Sequence, residues 1–225
     1  MDPVRSVAFV SVDGTPNDGG IHAVDIACML DVEWAGAMAP DAQMVVYEAM
    51  AGTSDAGFAL SMLKSLDAVV TDGQHRSTVV SISYGAAEDR LASSALNAWN
   101  VAAMRLAARG ISVLAASGDA GACGIRGTGR LVPHVDGPAP VPHILAVGGT
   151  TLTLTRTDQR QTDTGWTDAN NNGASGGGVS QVFDLPAWQD AAQVPVNPIG
   201  GTGRGVPDVA LVADPDTGCS VAFQG

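Results

Sequence analysis

The feature that most restricts what this chain can become is an alternation. Over the first 150 residues, short apolar runs are separated by long segments of helical periodicity. Residues 7–12, VAFVSV, form a β-branched run that stops at Asp13-Gly14 and predict a strand and a turn. In residues 21–38, Ile26, Leu30, Trp34 and Ala37 recur at helical spacing, and Pro40-Asp41 closes the segment. Residues 42–50 predict a strand, and 55–66 a helix with Asp55 as its N-cap. A strand over 77–85 ends in a turn. An Ala-rich helix over 91–109 stops at Gly110 in the C′ position, and strands follow over 111–117 and 143–150.

Several of these strands are apolar almost throughout, as strands covered on both faces must be. The pattern predicts an α/β fold of the doubly wound type, a mostly parallel sheet with helices on both faces. Ligands of such sheets bind outside the carboxyl ends of the strands. Tyr84 and Asp119 stand at or just past two such ends. From residue 160 onward the texture changes to Gly/Asn-rich and Gly/Pro-rich stretches, which predict loops laid across one face of the sheet.

Charge and composition narrow the function. With 23 acids against 11 Lys and Arg, the net charge of −12 excludes the basic footprint that nucleic acids need. No run reaches the roughly 18 apolar residues of a membrane span, and the first residues carry no signal-peptide pattern. Cys28, Cys123 and Cys219 allow at most one internal disulfide, and their spacing is no metal motif. His22, His75, His134 and His143 are scattered and read as structural.

Three motifs imitate catalytic ones. Gly173-Ala174-Ser175-Gly176-Gly177 has the spelling of a nucleophile elbow but lacks the strand before and the helix after. Ser54, in Gly52-Thr53-Ser54, stands at a helix start with no histidine beside it. The stretch 200–208, GGTGRGVPD, lacks the Gly-Lys-Ser/Thr ending of a phosphate loop. Asp31 is more informative. It sits one helical turn beyond Ala27, whereas Glu33 and Asp25 point about 200° and about 120° away from it.

Taken together, LDVEWAGAMAPDAQMVVYEA, VVSISYGAAED, GISVLAASGDAGA, PHILAVGGTTL, SGGGVSQVFDLPAWQ and GRGVPDVALVADPDTG resemble the sedolisins, the serine-carboxyl peptidases with a subtilisin-like fold. The six segments occur in family order across almost the whole chain. The resemblance implies endopeptidase cleavage of proteins at acid pH. A serine attacks, a glutamate activates it, one aspartate orients the glutamate, and another aspartate donates to the oxyanion. Residue by residue, Asp119 in SGDAG matches the oxyanion acid, and Asp31 in LDVEW matches the orienting acid. Ser83-Tyr84-Gly85 matches the segment that pairs with substrate backbone, with Tyr in place of Trp. Ser175-Gly176-Gly177-Gly178 matches the facing substrate segment. Asp31 and Asp119 are expected to converge on one cleft.

There are departures. The glutamate position, four residues before Asp31, holds Ala27. The serine of the family and its calcium site are expected beyond Gly225, and an initial piece before residue 1, so residues 1–225 read as a single, incomplete peptidase domain that holds no cofactor. The resemblance further implies protein or peptide substrates, a propeptide or the remainder of the domain as partner, and a secreted, extracellular setting. The rival expectation is a pseudopeptidase or fragment that at most binds peptides.

Overall fold

A computed structural model of the chain describes residues 7–16, 23–50, 52–123, 133–168, 173–196 and 201–218. Two compact units divide it between Arg76 and Ser77.

The first unit is a βαβα segment: β1 (Ala8–Ser11), α1 (Ala23–Met38), β2 (Val45–Glu48) and α2 (Asp55–Thr71). β1 and β2 pair in parallel, Ala8 opposite Val45, so α1 is the crossover that parallel pairing demands. α2 starts one residue differently from the sequence expectation. Ser54, in extended conformation, is the N-cap, and its Oγ accepts the Gly57 N–H at 3.1 Å. Asp55 instead lies in the first turn, where a negative charge meets the positive end of the helix. The helix continues past residue 66 to Thr71 because Met62, Leu66, Val69 and Val70 extend one buried stripe.

Two carboxylates tie this unit together. Asp13, after β1, accepts from Thr15 Oγ1 (2.7 Å), Met50 N–H (3.2 Å) and Lys64 Nζ (3.3 Å). Asp72, after α2, accepts from Tyr47 OH at 2.7 Å and stands 2.6 Å from His75 Nδ1. The Tyr47 hydroxyl first, then His75, holds the Asp72 carboxyl well below the usual carboxylate range.

The second unit contains β3 (Val79–Ile82), β4 (Ala86–Ala87), α3 (Ser93–Ala107), β5 (Ser112–Ala116), β6 (Asp136–Gly137), β7 (Leu145–Leu154), β8 (Arg160–Gly165), β9 (Thr167–Asp168), β10 (Gly173–Ala174), β11 (Gly178–Val179), β12 (Gly205–Val206) and β13 (Val209–Val212). Its main sheet runs β13-β7-β5-β3, all parallel, and β8 folds back antiparallel on the far part of β7. α3 crosses from β3 to β5 and packs on β5. Its Leu96, Trp99, Ala102, Ala103 and Leu106 are buried against the core that Val113, Ala115, Ile144 and Ala146 supply. Gly110 takes φ +75 just past α3, the left-handed backbone that stops a helix.

The region after residue 160 is not loop alone. It supplies β8 to β13, and β13 is a full member of the parallel sheet, Val209 opposite Val147. A four-residue strand between Pro207-Asp208 and Asp214-Pro215 shows more turn chemistry than strand pattern in the sequence. Its entry is fixed by a buried ion pair. Arg204, fully enclosed, reaches Asp208 Oδ2 at 2.5 Å, donates to Gly205 O, and lies 4.6 Å from the Trp188 ring centroid. Asp208 in turn accepts the Ala146 N–H at 2.8 Å.

Candidate active site

In the second unit the site begins where β5 ends. The Ser117 N–H donates to Val147 O at 2.9 Å and carries the strand pairing one residue further. Gly118 then takes φ +112, and the chain turns so that Asp119 stands exposed outside the strand end. Only glycine fits residue 118: the backbone is left-handed, and a Cβ there would collide with Asp136 Oδ2.

The segment 174–178 is laced to this turn. The Ala174 N–H donates to Asp119 O at 2.9 Å, and the Gly176 N–H donates to Gly118 O at 2.6 Å. The Ser117 hydroxyl donates to Gly176 O at 2.7 Å. A Cβ on Gly176 would run into the Ser117 carbonyl, so the close approach itself requires glycine. Gly178 continues into β11, paired with Val206 of β12. Asp119 and Ser175–Gly178 are therefore brought together.

Ser175 has a different task from that of an elbow serine. Its N–H donates to Trp166 O at 3.0 Å, and its Oγ accepts the Gly149 N–H at 2.9 Å. The hydroxyl pins the segment to β7, and no helix follows it.

Ser83, Tyr84 and Gly85 are exposed and lead from the carboxyl end of β3 into β4. β4 pairs antiparallel with β6, Ala86 opposite Gly137 and Ala87 opposite Asp136. Asp136 thus links the two segments: its backbone aligns the strand that follows Ser83–Gly85, and its carboxylate lies against Gly118. Asp31 belongs to the first unit. It lies half-buried on α1, with half-buried Ala27 one turn before it.

Three residues of this region were not among the sequence candidates. Asp136 is largely buried, and burial above all pushes its carboxyl up to about 6. His134 opposes that push, and Asp119 adds the smallest contribution, upward. His134 is itself buried, with Nε2 3.9 Å from Asp136 Oδ1. Glu88 is also buried and also raised, chiefly by burial, although it accepts from Ser180 Oγ and, at 2.7 Å, from the Gln181 N–H. The Ser180–Glu88 pair is a serine beside a carboxylate, but both side chains are enclosed. The same hydroxyl also accepts from Val182 and Phe183 N–H at 3.1 and 2.9 Å, so it organises a loop and offers no nucleophile. The signal in the sequence was a titratable pair, His134 and Asp136, set inside the apolar and Gly/Pro stretch VPHVDGPAP. Among the described residues, no group of three or more His, Cys, Asp or Glu is placed to hold a metal ion.

No family model matches the chain. It is 44% identical over 223 residues to kumamolisin of Bacillus sp. (strain MN-32), covering 97% of this chain and 39% of kumamolisin. It is 35% identical over 146 residues to tripeptidyl-peptidase 1 of Bos taurus, covering 60% of this chain and 24% of that protein. The chain thus spans well under half the length of the curated relatives it matches. Among solved structures, Pseudomonas sedolisin, a serine-carboxyl proteinase complexed with two molecules of pseudo-iodotyrostatin, aligns with a TM-score of 0.72 at 26% identity. The alignment covers 95% of this chain and 59% of that one.

Proposed function

The chain belongs to the sedolisin family, with the subtilisin-like α/β fold, and from that premise we propose that it serves a serine-carboxyl peptidase hydrolysing peptide bonds of proteins in acid. The observation that carries this reading is the Asp119 turn, held outside the end of β5 and bonded through Gly118 and Ser117 to the 174–176 segment.

The chemistry follows from the positions. Ser83–Gly85 and Ser175–Gly178 hold the substrate backbone. Asp119, when protonated, donates a hydrogen bond to the carbonyl oxygen as it gains charge, a contribution typically of about 3 kcal/mol to the barrier. Asp31 is the orienting acid of the family arrangement. Its usual glutamate partner would occupy position 27, one turn away on the same helix face. The substrates are proteins or peptides, with a propeptide as the natural intramolecular partner, and the setting is an acidic extracellular or lysosomal one.

A second reading has its own support in Ala27. A methyl group cannot take the proton of a serine hydroxyl, and such a hydroxyl is a weak nucleophile without a base. On this reading residues 1–225 bind peptide without cleaving it. Incubation of a form of the protein extended to include a Gly-Thr-Ser nucleophile segment with denatured protein at acid pH separates the two. Turnover lost in Asp119→Ala supports the peptidase; peptide binding without turnover supports the binding module; neither one removes both.

A further inference from the structure

Among the described residues, no backbone pairing joins the two segments proposed to hold substrate. Ser83–Gly85 runs into β4, which pairs with β6, and Ser175–Gly178 runs into β11, which pairs with β12. A buried side chain joins them instead. Glu88 stands three residues past Gly85, and Ser180 stands two past Gly178. The Glu88 carboxylate accepts the Ser180 hydroxyl at Oε2 and the Gln181 N–H at Oε1, the latter at 2.7 Å, across 92 and 93 residues of chain. Glu88 is 2% exposed and Ser180 4%.

Each end of this bridge is anchored. The Glu88 N–H donates to Val135 O at 2.8 Å, and the Ser180 N–H donates to the backbone oxygen of enclosed Arg204 at 2.9 Å. The Ser180 Oγ accepts the Val182 and Phe183 N–H groups at 3.1 and 2.9 Å, which fills its two lone pairs. Its one hydrogen is left for Glu88. Residue 88 must therefore accept at two separate atoms, which a carboxylate does and an amide does not. Enclosing an acid has a cost, and burial raises the Glu88 carboxyl for that reason. An apolar pair would fill the space without that cost but would set no distance.

We propose that Glu88 is the positioning residue of a peptide groove: its carboxylate, bridged to Ser180 and Gln181, fixes the separation of Ser83–Gly85 and Ser175–Gly178 so that an extended main chain fits between them. The groove rests on the substrate-holding role given to those segments above. A strand inserted between two others needs about 4.8 Å on each side. Its hydrogen bonds tolerate only a few tenths of an ångström around roughly 2.9 Å. Walls that belong to different ladders do not keep such a spacing by backbone pairing, whereas a buried two-bond bridge does.

The test reads the walls first without a ligand and then with one. Backbone amide NMR compares the 225-residue chain with Glu88→Gln, Ser180→Ala and Leu106→Ala. Glu88→Gln keeps the shape but turns an NH2 group toward one of the two donors. Ser180→Ala keeps the acid and removes the bridging hydroxyl. Leu106→Ala, in the buried stripe of α3, lowers stability and leaves the bridge intact. The amide shifts of residues 83–85 and 176–178 should move in both bridge variants and stay near wild type in Leu106→Ala. Changes confined to 87–89 and 179–183 overturn the proposal, and so does equal movement of the walls in Leu106→Ala. Should Glu88→Gln unfold, Ser180→Ala carries the comparison. A fluorescein-labelled, end-blocked octapeptide of alternating Ala and Thr is then titrated into each folded protein. Its affinity should fall about tenfold or more in the bridge variants, the order that loss of a hydrogen bond to a charged group carries. A wild-type chain that binds no octapeptide sinks the peptide reading and this proposal with it. Binding that survives unchanged in both bridge variants sinks this proposal alone.

Discussion

Ser117 donates its hydroxyl hydrogen to the carbonyl oxygen of Gly176 across 2.7 Å, 59 residues away in the chain. The Gly176 N–H goes back to Gly118 O at 2.6 Å. The turn that carries Asp119 and the segment proposed to hold substrate are therefore one rigid piece, and strain placed in one is felt in the other.

Gly176→Ala tests that unity. The added methyl would collide with the Ser117 carbonyl, which is backbone and cannot swing aside. Overpacking of this kind typically costs about 1–3 kcal/mol. Gly165→Ala, where nothing lies within 4 Å of the new methyl, is the control and should stay within roughly 0.5 kcal/mol of wild type. Thermal unfolding of both variants measures the difference; equal melting temperatures would show that the two segments are not in close contact.

Asp136 makes stability depend on pH with a definite sign. The folded chain holds the Asp136 proton up to about 6, whereas the unfolded chain releases it from an ordinary value of 3.8. Between those values the folded state binds the extra proton, so the contribution to stability is complete below about 4 and is lost as pH rises through about 6. Asp136→Asn should flatten that part of the stability profile. Buried Glu88, raised in the same direction, keeps a residual slope. Urea unfolding at a series of pH values reads both effects, and an unchanged slope in the variant would contradict the assignment.

How much of this was legible in the sequence depended on the range of the forces involved. The helices and parallel strands of 23–116 announce themselves because burial of one helix stripe or of both strand faces writes a periodic apolar pattern. Asp119 was legible because a lone acid at the end of such a strand breaks that pattern. β13 was not, since its four residues are flanked by turn formers and gain their pairing from β7, more than fifty residues earlier. Asp136 and Glu88 were missed for a related reason. Their raised proton affinity comes from burial in the folded chain, which at Glu88 outweighs the hydrogen bond from Ser180, and no local pattern records which distant segment will cover an acid.

Arg204 and Asp208 give a sharper contrast between one and two substitutions. Arg204→Met leaves Asp208 largely enclosed without its cation, and removing one partner of a buried pair typically costs about 3–5 kcal/mol. Arg204→Met combined with Asp208→Leu removes both charges and should be less damaging than the single change, although the Ala146 N–H then loses its acceptor. Calorimetric melting of the two proteins checks the order. A double variant less stable than the single one would mean that Asp208 acts mainly through Ala146 and not through the ion pair.

Position 27 carries the last expectation. Ala27→Glu sets a carboxylate four residues before Asp31 on α1, the spacing at which helix side chains meet. Two carboxyls at that distance share a proton readily, so one of the pair should titrate above the usual carboxylate range. In a form of the protein extended to include a Gly-Thr-Ser nucleophile segment, a base placed there should raise peptide hydrolysis by roughly 100- to 10,000-fold over the same form with Ala27. The gain should belong to the acid side and fade toward neutral pH, as the carboxyl pair at positions 27 and 31 gives up its shared proton. Circular dichroism first establishes that both forms are folded, and initial rates on a denatured protein substrate then compare them across pH. Equal rates in the two folded forms would show that position 27 does not face the nucleophile, and the role proposed for Asp31 would fall with it.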